Sequence, residues 1–270
     1  MTLPVLAYTV RPVFFDGENM NEVPSFDEIL KKHPEIDHIE VRPQDNRRAV
    51  KSFVLRGQKL GSHQLEALDC LFDKYCLTYS AGRMDFARIF GNDNPVVIEI
   101  GFGMGESTLQ IAQQHPRINY IGFEVFLFGF SKVLYKIGNS GLENIRIMRF
   151  DAKQAIADLV DDDSVSGFHI FFPDPWPKKK HHGRRLIQPP FIELLQSKLK
   201  KGGYIYAATD WEDYAQQMLD VLSHCEGMHN PYDGFADPIG WRPETGFERK
   251  GLDKNYSIRE LWFENQANRR

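Results

Sequence analysis

Cysteine is scarce in this chain of 270 residues: Cys70, Cys76 and Cys225 are an odd count with no CxxC spacing. That excludes a disulfide framework and offers no zinc-binding pattern, so a reducing cytoplasm is the expected setting. Long apolar runs are missing as well. Those present are strand-sized and interrupted by charge, and the opening "MTLPVLAYTVRPVFFDG" lacks the cationic start and apolar h-region of a signal peptide, so neither membrane insertion nor export is expected. No internal repeat or low-complexity tract interrupts the chain. A general excess of base is absent too: the formal net charge is −4, which argues against a generic nucleic-acid coat.

What is present is unevenly distributed. Hydrophobic residues make up 42% of the chain, ample for a buried core. Residues 1–40 carry eight Asp or Glu against three Lys or Arg, whereas Arg42 to Lys59 carries six bases and one acid. A second basic cluster runs from Lys178 to Arg185. Charge segregated in this way lets an acidic protein bind a polyanion locally. The expected organisation is an acidic, partly ordered extension over 1–40, a basic, polyanion-binding segment with a helix over 41–90, and an α/β domain over 91–270.

From about Asn94 the pattern becomes regular. "PVVIEIGFG", "INYIGFEV", "NIRIMRFDA", "GFHIFFPDP" and "GGYIYAATD" are branched and aromatic runs that end in Gly or an acid, and each predicts a strand. Helix-length segments separate them at Ser107–Gln114, Phe126–Ile137, Ala152–Leu159 and Pro190–Leu199. This alternation predicts a mainly parallel, twisted sheet covered by helices on both faces. Ligands bind such sheets beyond the carboxyl ends of the strands, where Glu124, Asp151, Asp174 and Asp210 all fall.

"VVIEIGFGMGEST" leads from a strand through Gly101, Gly103 and Gly105 into a helix, a turn that lets a ligand approach the backbone. A nicotinamide dinucleotide fits poorly. GxGxxG begun at Gly101 meets Glu106 where glycine is required, and begun at Gly103 it meets Thr108. Glu99, just before the turn, would repel a pyrophosphate but attract a cation such as S-adenosylmethionine. Glu124 stands at the distance used to grip ribose hydroxyls. Asp151 fits either a helix N-cap or an adenine contact.

The stretch "HIFFPDPWPKKKHHGRR" sets a carboxylate, Asp174, between prolines and follows it with seven basic or potentially basic side chains in eight positions. Its "PDPW" is comparable to the Asp-Pro-Pro-aromatic loop of amino-group DNA methyltransferases, so Trp176 fits either a base-stacking residue or a packing anchor. His181 and His182 lack ligand partners at useful spacing, so no metal site is expected.

Together, "RRAVKSF", "IEIGFGMGES", "IGFEV", "FFPDPWPKKKHHGRRLIQPPF", "LKKGGYIYAATDWEDYAQQML" and "RPETGFERKGLDKNYSIRELWFE" resemble the bacterial tRNA guanine-N7 methyltransferases over roughly 47–264. The resemblance implies a Rossmann-like class I methyltransferase fold. It also implies methyl transfer from S-adenosylmethionine to N7 of a guanosine in the tRNA variable loop. By position it casts Glu99, Glu124, Asp151 and Asp174 as cofactor contacts, with Asp174 also the catalytic residue. Lys178, Asp210, Thr245, Gly246, Phe247 and Glu248 are cast as substrate contacts, and Lys180, His181, His182, Gly183, Arg184 and Arg185 as the RNA-interaction stretch. Two departures stand out: the long N-terminal extension, and "DKNYSIREL" in place of a glycine-containing turn. Readings that remain open beside it are an amino-group nucleic-acid methyltransferase, a dinucleotide-dependent oxidoreductase and an inactive RNA-binding relative. The basic segment with Arg47 and Arg48 fits either a second tRNA clamp or a helix with solvated cations.

Overall fold

The computed structural model describes residues 23–40, 51–53, 59–80, 82–244, 248 and 257–267. Runs that are apolar at nearly every position, rather than at alternate ones, belong in a sheet covered on both faces. The five expected runs become β2 (Val96–Ile100), β3 (Asn119–Phe123), β4 (Ile145–Met148), β5 (Val165–Phe171) and β6 (Leu199–Thr209). With β1 (Cys76–Leu77), β7 (Met228–His229) and β8 (Arg259–Asn265) they form one sheet ordered β1-β4-β3-β2-β5-β6-β8-β7. The first six pair in parallel, while β8 runs antiparallel to both β6 and β7. The strand order reverses at β2, which lies between β3 and β5, and the crevice of such a sheet opens at that reversal.

Helices cover both faces in two apolar layers. One face packs against α6 (Ala152–Leu159), α7 (Pro189–Lys198) and α8 (Glu212–Ser223). The other packs against α1 (Phe26–Lys32), α2 (Ser62–Tyr75), α4 (Glu106–Gln114) and α5 (Leu127–Ser140), while α3 (Phe86–Phe90) lies just before β2. α2 and α5 meet closely because Gly138 has no side chain: a Cβ there would stand 2.4 Å from Leu71 Cδ1. Gln64 ties the same pair together. Its Oε1 accepts from the Gly61 N–H at the start of α2 at 3.0 Å, and its Nε2 donates to the Phe128 carbonyl and the Ser131 hydroxyl of α5. The helix over 152–159 matches the sequence reading, and the others differ by one to three residues at their ends. α7 begins at Pro189, whose missing N–H costs nothing in a first turn.

The acidic extension is more structured over its second half than its composition suggests. Ser25 caps α1: its hydroxyl accepts from the Glu28 N–H, and the Glu28 carboxylate accepts from the Ser25 N–H at 2.8 Å. Ile29 and Ile36 are buried against α2, each contributing about 1.5–3 kcal/mol of apolar burial. The segment then ends beside the strand termini, where the Asp151 N–H donates to the Ile39 carbonyl at 2.7 Å.

Candidate active site

The crevice beyond β2 and β5 is a cavity of about 780 Å³, within the ~300–1,000 Å³ of small-molecule sites. The turn after β2 forms its floor. Gly101, Gly103 and Gly105 all adopt left-handed backbone, with φ of 78°, 55° and 66°. At Gly105 a side chain is excluded twice over, since a Cβ would also stand 2.3 Å from Val133 Cγ2. Helix α5 sits equally close: a Cβ on Gly129 would lie 2.3 Å from the Gly103 carbonyl oxygen.

Among the described residues, five carboxylates, Glu99, Glu106, Glu124, Asp151 and Asp174, line the cavity against a single lysine, Lys153. Glu99 is only 4% exposed, and its Oε2 makes no hydrogen bond among the described residues. Burial pushes its pKa up to about 7, the Thr108 hydroxyl opposing and the charge of Glu124 reinforcing that rise. Glu124 is differently placed. Its Oε2 accepts from the Gly103 N–H at 2.7 Å, and its Oε1 accepts from the Val125 and Phe126 N–H groups at 2.8 and 2.9 Å. Burial raises the pKa of Glu124, these three bonds pull it back, and the charge of Asp174 pushes it further up. A carboxylate has about four acceptor sites, so a ligand hydroxyl still has room at Glu124.

Asp151 bears out the N-cap reading. It caps α6 by accepting from the Lys153 N–H at 2.8 Å, and it lines the cavity. Burial raises its carboxyl pKa against the pull of the cap bonds. S-adenosylmethionine fits this donor set. An ammonium matches the unpartnered Glu99 oxygen, ribose hydroxyls match Glu124, and an acid-lined wall suits a ligand with two positive centres.

Asp174 is exposed at the mouth of the cavity. The loop that presents it contains two left-handed residues that are not glycine, Phe172 at φ 50° and Trp176 at φ 44°. Each such conformation costs on the order of 1–2 kcal/mol. Packing holds them. The Phe172 N–H donates to the Ala208 carbonyl at 2.8 Å, and the Trp176 indole N–H donates to the Ser52 carbonyl at 3.2 Å. Arg184 lies over the Trp176 ring at 4.9 Å and His181 meets it edge-on at 5.9 Å, so the indole anchors the loop.

Beyond Asp174 the chain forms a 3-10 turn over Lys179–Arg184. Lys178, Lys180, Gly183 and Arg184 are exposed, and His181 and His182 are half-buried. Arg185 departs from the RNA-contact reading. It is 1% exposed, and its guanidinium donates to Asp213 at 2.5 Å, Gln217 at 2.6 Å and the Pro175 carbonyl at 2.8 Å while lying over Tyr214. Fully engaged inside the protein, it braces the loop from behind. The Arg185 hydrogen bond in turn lowers the Asp213 pKa.

The remaining expected substrate contacts are spread more widely. Asp210 is half-buried at the end of β6, and neither it nor Lys178 lines the cavity. Glu248 is buried in an ion pair with Arg242. Thr245, Gly246, Phe247, Arg47 and Arg48 lie outside the described residues. Ser52, Phe53, Glu106 and Lys153 line the cavity although the sequence reading did not single them out. For Lys153 a signal existed, since it follows the strand-end acid Asp151 by two residues. For Ser52 and Phe53, more than forty residues ahead of the glycine turn, the signal lay in the "RRAVKSF" block of the resemblance, which ends in them.

Among the described residues no cluster of His, Cys, Asp or Glu could hold a metal ion, and no helix is long and apolar enough to cross a membrane. A family described as "Putative methyltransferase" matches residues 93–261. The solved 16S rRNA methyltransferase KamB shares the fold at a TM-score of 0.53 and 15% identity, covering 71% of this chain and 97% of that one. Two curated relatives, each named tRNA (guanine-N(7)-)-methyltransferase, come from Bordetella pertussis and Neisseria meningitidis serogroup C. Both are 45% identical, over 79% of this chain and 84% of the relative in the first case and 80% and 91% in the second. With a cavity suited to a cationic cofactor at the strand reversal and these relatives along four-fifths of its length, the chain belongs to the tRNA (guanine-N(7)-)-methyltransferase family.

Proposed function

We propose that the protein methylates N7 of a guanosine in the variable loop of tRNA. The observation that carries this reading is the acid-lined cavity at the β2/β5 reversal, with the Glu99 carboxylate buried and one oxygen unpartnered, opening beside an exposed basic loop. S-adenosylmethionine, when bound there, supplies a methyl group on a positively charged sulfur. Glu99 would hold its ammonium, Glu124 its ribose, and Asp151 the adenine side.

Guanine N7 has a lone pair and no proton, so no side chain has to act as a base toward it. Positioning and charge must lower the barrier instead. Asp174, between prolines at the cavity mouth, would accept hydrogen bonds from the guanine N1 and N2 edge, a reading supported by its position on the cavity lining. That anchors the base and, as an anion, compensates the positive charge the purine acquires. Asp210 and Glu248 are second candidates for the same edge. Lys178, Lys180 and Arg184, with His181 and His182, supply phosphate and polar contacts at the rim, which set the register of the RNA without reading a base. Residues 41–90, with Arg47 and Arg48, are assigned to a second tRNA contact, and 91–270 to the catalytic domain.

Replacing the guanosine by 7-deazaguanosine in a tRNA transcript tests the chemistry. Methyl incorporation should vanish while tRNA binding stays within about twofold, a difference under 0.5 kcal/mol. Undiminished incorporation would place the methyl elsewhere and end this reading.

A further inference from the structure

A buried ion cluster lies behind the loop that leads to Asp174, outside the cofactor cavity. The Arg242 guanidinium donates from Nη2 to Glu248 Oε1 and Glu260 Oε1, both at 2.5 Å, and from Nε to Glu260 Oε1 at 3.1 Å and the Tyr206 hydroxyl at 2.8 Å. Tyr206 itself donates to Glu260 Oε2 at 2.7 Å, and that same oxygen accepts from the Ile239 N–H at 2.9 Å. The Arg242 side chain is 5% exposed and that of Glu248 3%. Burying one cation with two anions is costly unless the geometry is close and fully bonded. Here it serves a visible purpose. The Arg242–Glu248 pair is tied by Tyr206 to β6 and by Glu260 to β8.

The other side of the guanidinium faces the reaction loop. It lies over the rings of Phe171 and Phe172, at 5.8 and 5.7 Å from their centroids. Phe172 lines the cavity and precedes Pro173 and Asp174. One side chain therefore touches both Glu248 and the Phe171–Phe172 corner that precedes Asp174. Burial alone would lower the Arg242 pKa, but the two carboxylates more than offset it, and the net direction is upward. Arg242 stays charged.

We propose that Arg242 is a positioning residue for methyl transfer, holding Glu248 in register with the Phe171–Phe172 corner. This rests on the reading of residues 245–248 as a substrate contact. Arg242 does not line the cofactor cavity and acts through Glu248.

Lysine keeps the charge but loses the fork that reaches Glu248, Glu260 and Tyr206 at once. Arg242→Lys, Arg242→Gln, Glu248→Gln and the Arg242→Gln/Glu248→Gln double variant should be compared on tRNA. The readouts are kcat/KM for tRNA, the dissociation constant for S-adenosylmethionine and the melting temperature. Glu248→Gln and Arg242→Gln are each expected to lower kcat/KM for tRNA about tenfold or more, and the double variant no further than the worse single. Arg242→Lys should lose about as much as Arg242→Gln, with cofactor affinity within about twofold of wild type, a span under 0.5 kcal/mol.

Losses that multiply in the double variant, or a fall in cofactor affinity as large as that in kcat/KM, would reduce Arg242 to a general stabiliser and overturn the proposal. So would wild-type kcat/KM in both Arg242 variants while Glu248→Gln is impaired. If Arg242→Gln does not fold, Arg242→Lys and Glu248→Gln decide the matter by the same comparison. Wild-type turnover in Glu248→Gln is a separate failure, removing the substrate reading of the segment on which the proposal stands.

Discussion

Arg184 and Arg185 are neighbours in the chain with opposite environments. Arg184 is exposed beside Trp176 at the rim, whereas Arg185 is buried and engaged with Asp213, Gln217 and the Pro175 carbonyl. The same division runs through the whole site. Its acid half, Glu99, Glu124 and Asp151, sits at strand ends where backbone and core fix each carboxylate. Its basic half is carried on a short turn facing solvent. In the proposed reaction the acid half would set the chemistry through preorganised charge, and the basic half would set RNA register through hydrated charges.

The sharpest way to break this division is at the boundary residue. Asp174→Ala should lower kcat on tRNA by about 100- to 1,000-fold, the scale of losing one preorganised group at a reacting centre. Cofactor affinity should change by less than about threefold. Wild-type turnover measured in steady state would remove Asp174 from the chemistry.

Glu99→Gln addresses the buried half. At pH 8 it should weaken S-adenosylmethionine binding by about 10- to 100-fold, the value of a hydrogen bond to a charged partner. It should also stabilise the free protein. The folded-state pKa of Glu99 is raised from 4.5 to about 7, so its contribution to stability is fully present below about 4.5 and lost as pH rises through about 7. Removing that cost recovers up to about 3 kcal/mol at pH 8 and little at pH 4.5. In the wild type, cofactor affinity should therefore strengthen as pH rises through about 7. Calorimetry across pH 5.5–8.5 checks the binding and scanning calorimetry the stability. A variant with wild-type affinity and a lowered melting temperature would contradict both signs.

The two arginines give the direct contrast. Arg185→Ala should cost about 2–3 kcal/mol, roughly 4–5 °C in melting temperature, because it removes buried hydrogen bonds and packing. Arg184→Glu should leave melting almost unchanged, weaken tRNA binding several-fold at physiological salt and reduce the salt slope by about one. A matching pattern in the two variants would erase the distinction. Ser25→Ala is expected to have the smallest effect, about 1 kcal/mol of stability from the lost cap, with tRNA methylation unchanged.

Most of the fold was legible because strands buried on both faces announce themselves as unbroken apolar runs, and each run from β2 to β5 ended in residues that line the crevice. β8 was harder to read. "RELWFEN" mixes charge with apolar residues, and Glu260 is tolerated inside only because Arg242, Tyr206 and Ile239 reach it from elsewhere in the chain. The cap on α1 was written locally as "SFDE", but acidic composition masked it. At the site, Glu99 and Glu124 were readable from position after a strand. Arg185 was not, because nothing in a run of seven basic side chains marks the one that turns inward to Asp213, twenty-eight residues later. Local pattern encodes strand ends well, while the partner of a long side chain is set by tertiary packing.

The most direct measurement is to incubate the protein with methyl-labelled S-adenosylmethionine and unmodified tRNA, then map the product by the strand cleavage specific to N7-methylguanosine. The account predicts label at a single guanosine in the variable loop, with cleavage at that nucleotide. Label on an exocyclic amino group, or no label with both substrates bound, would contradict it.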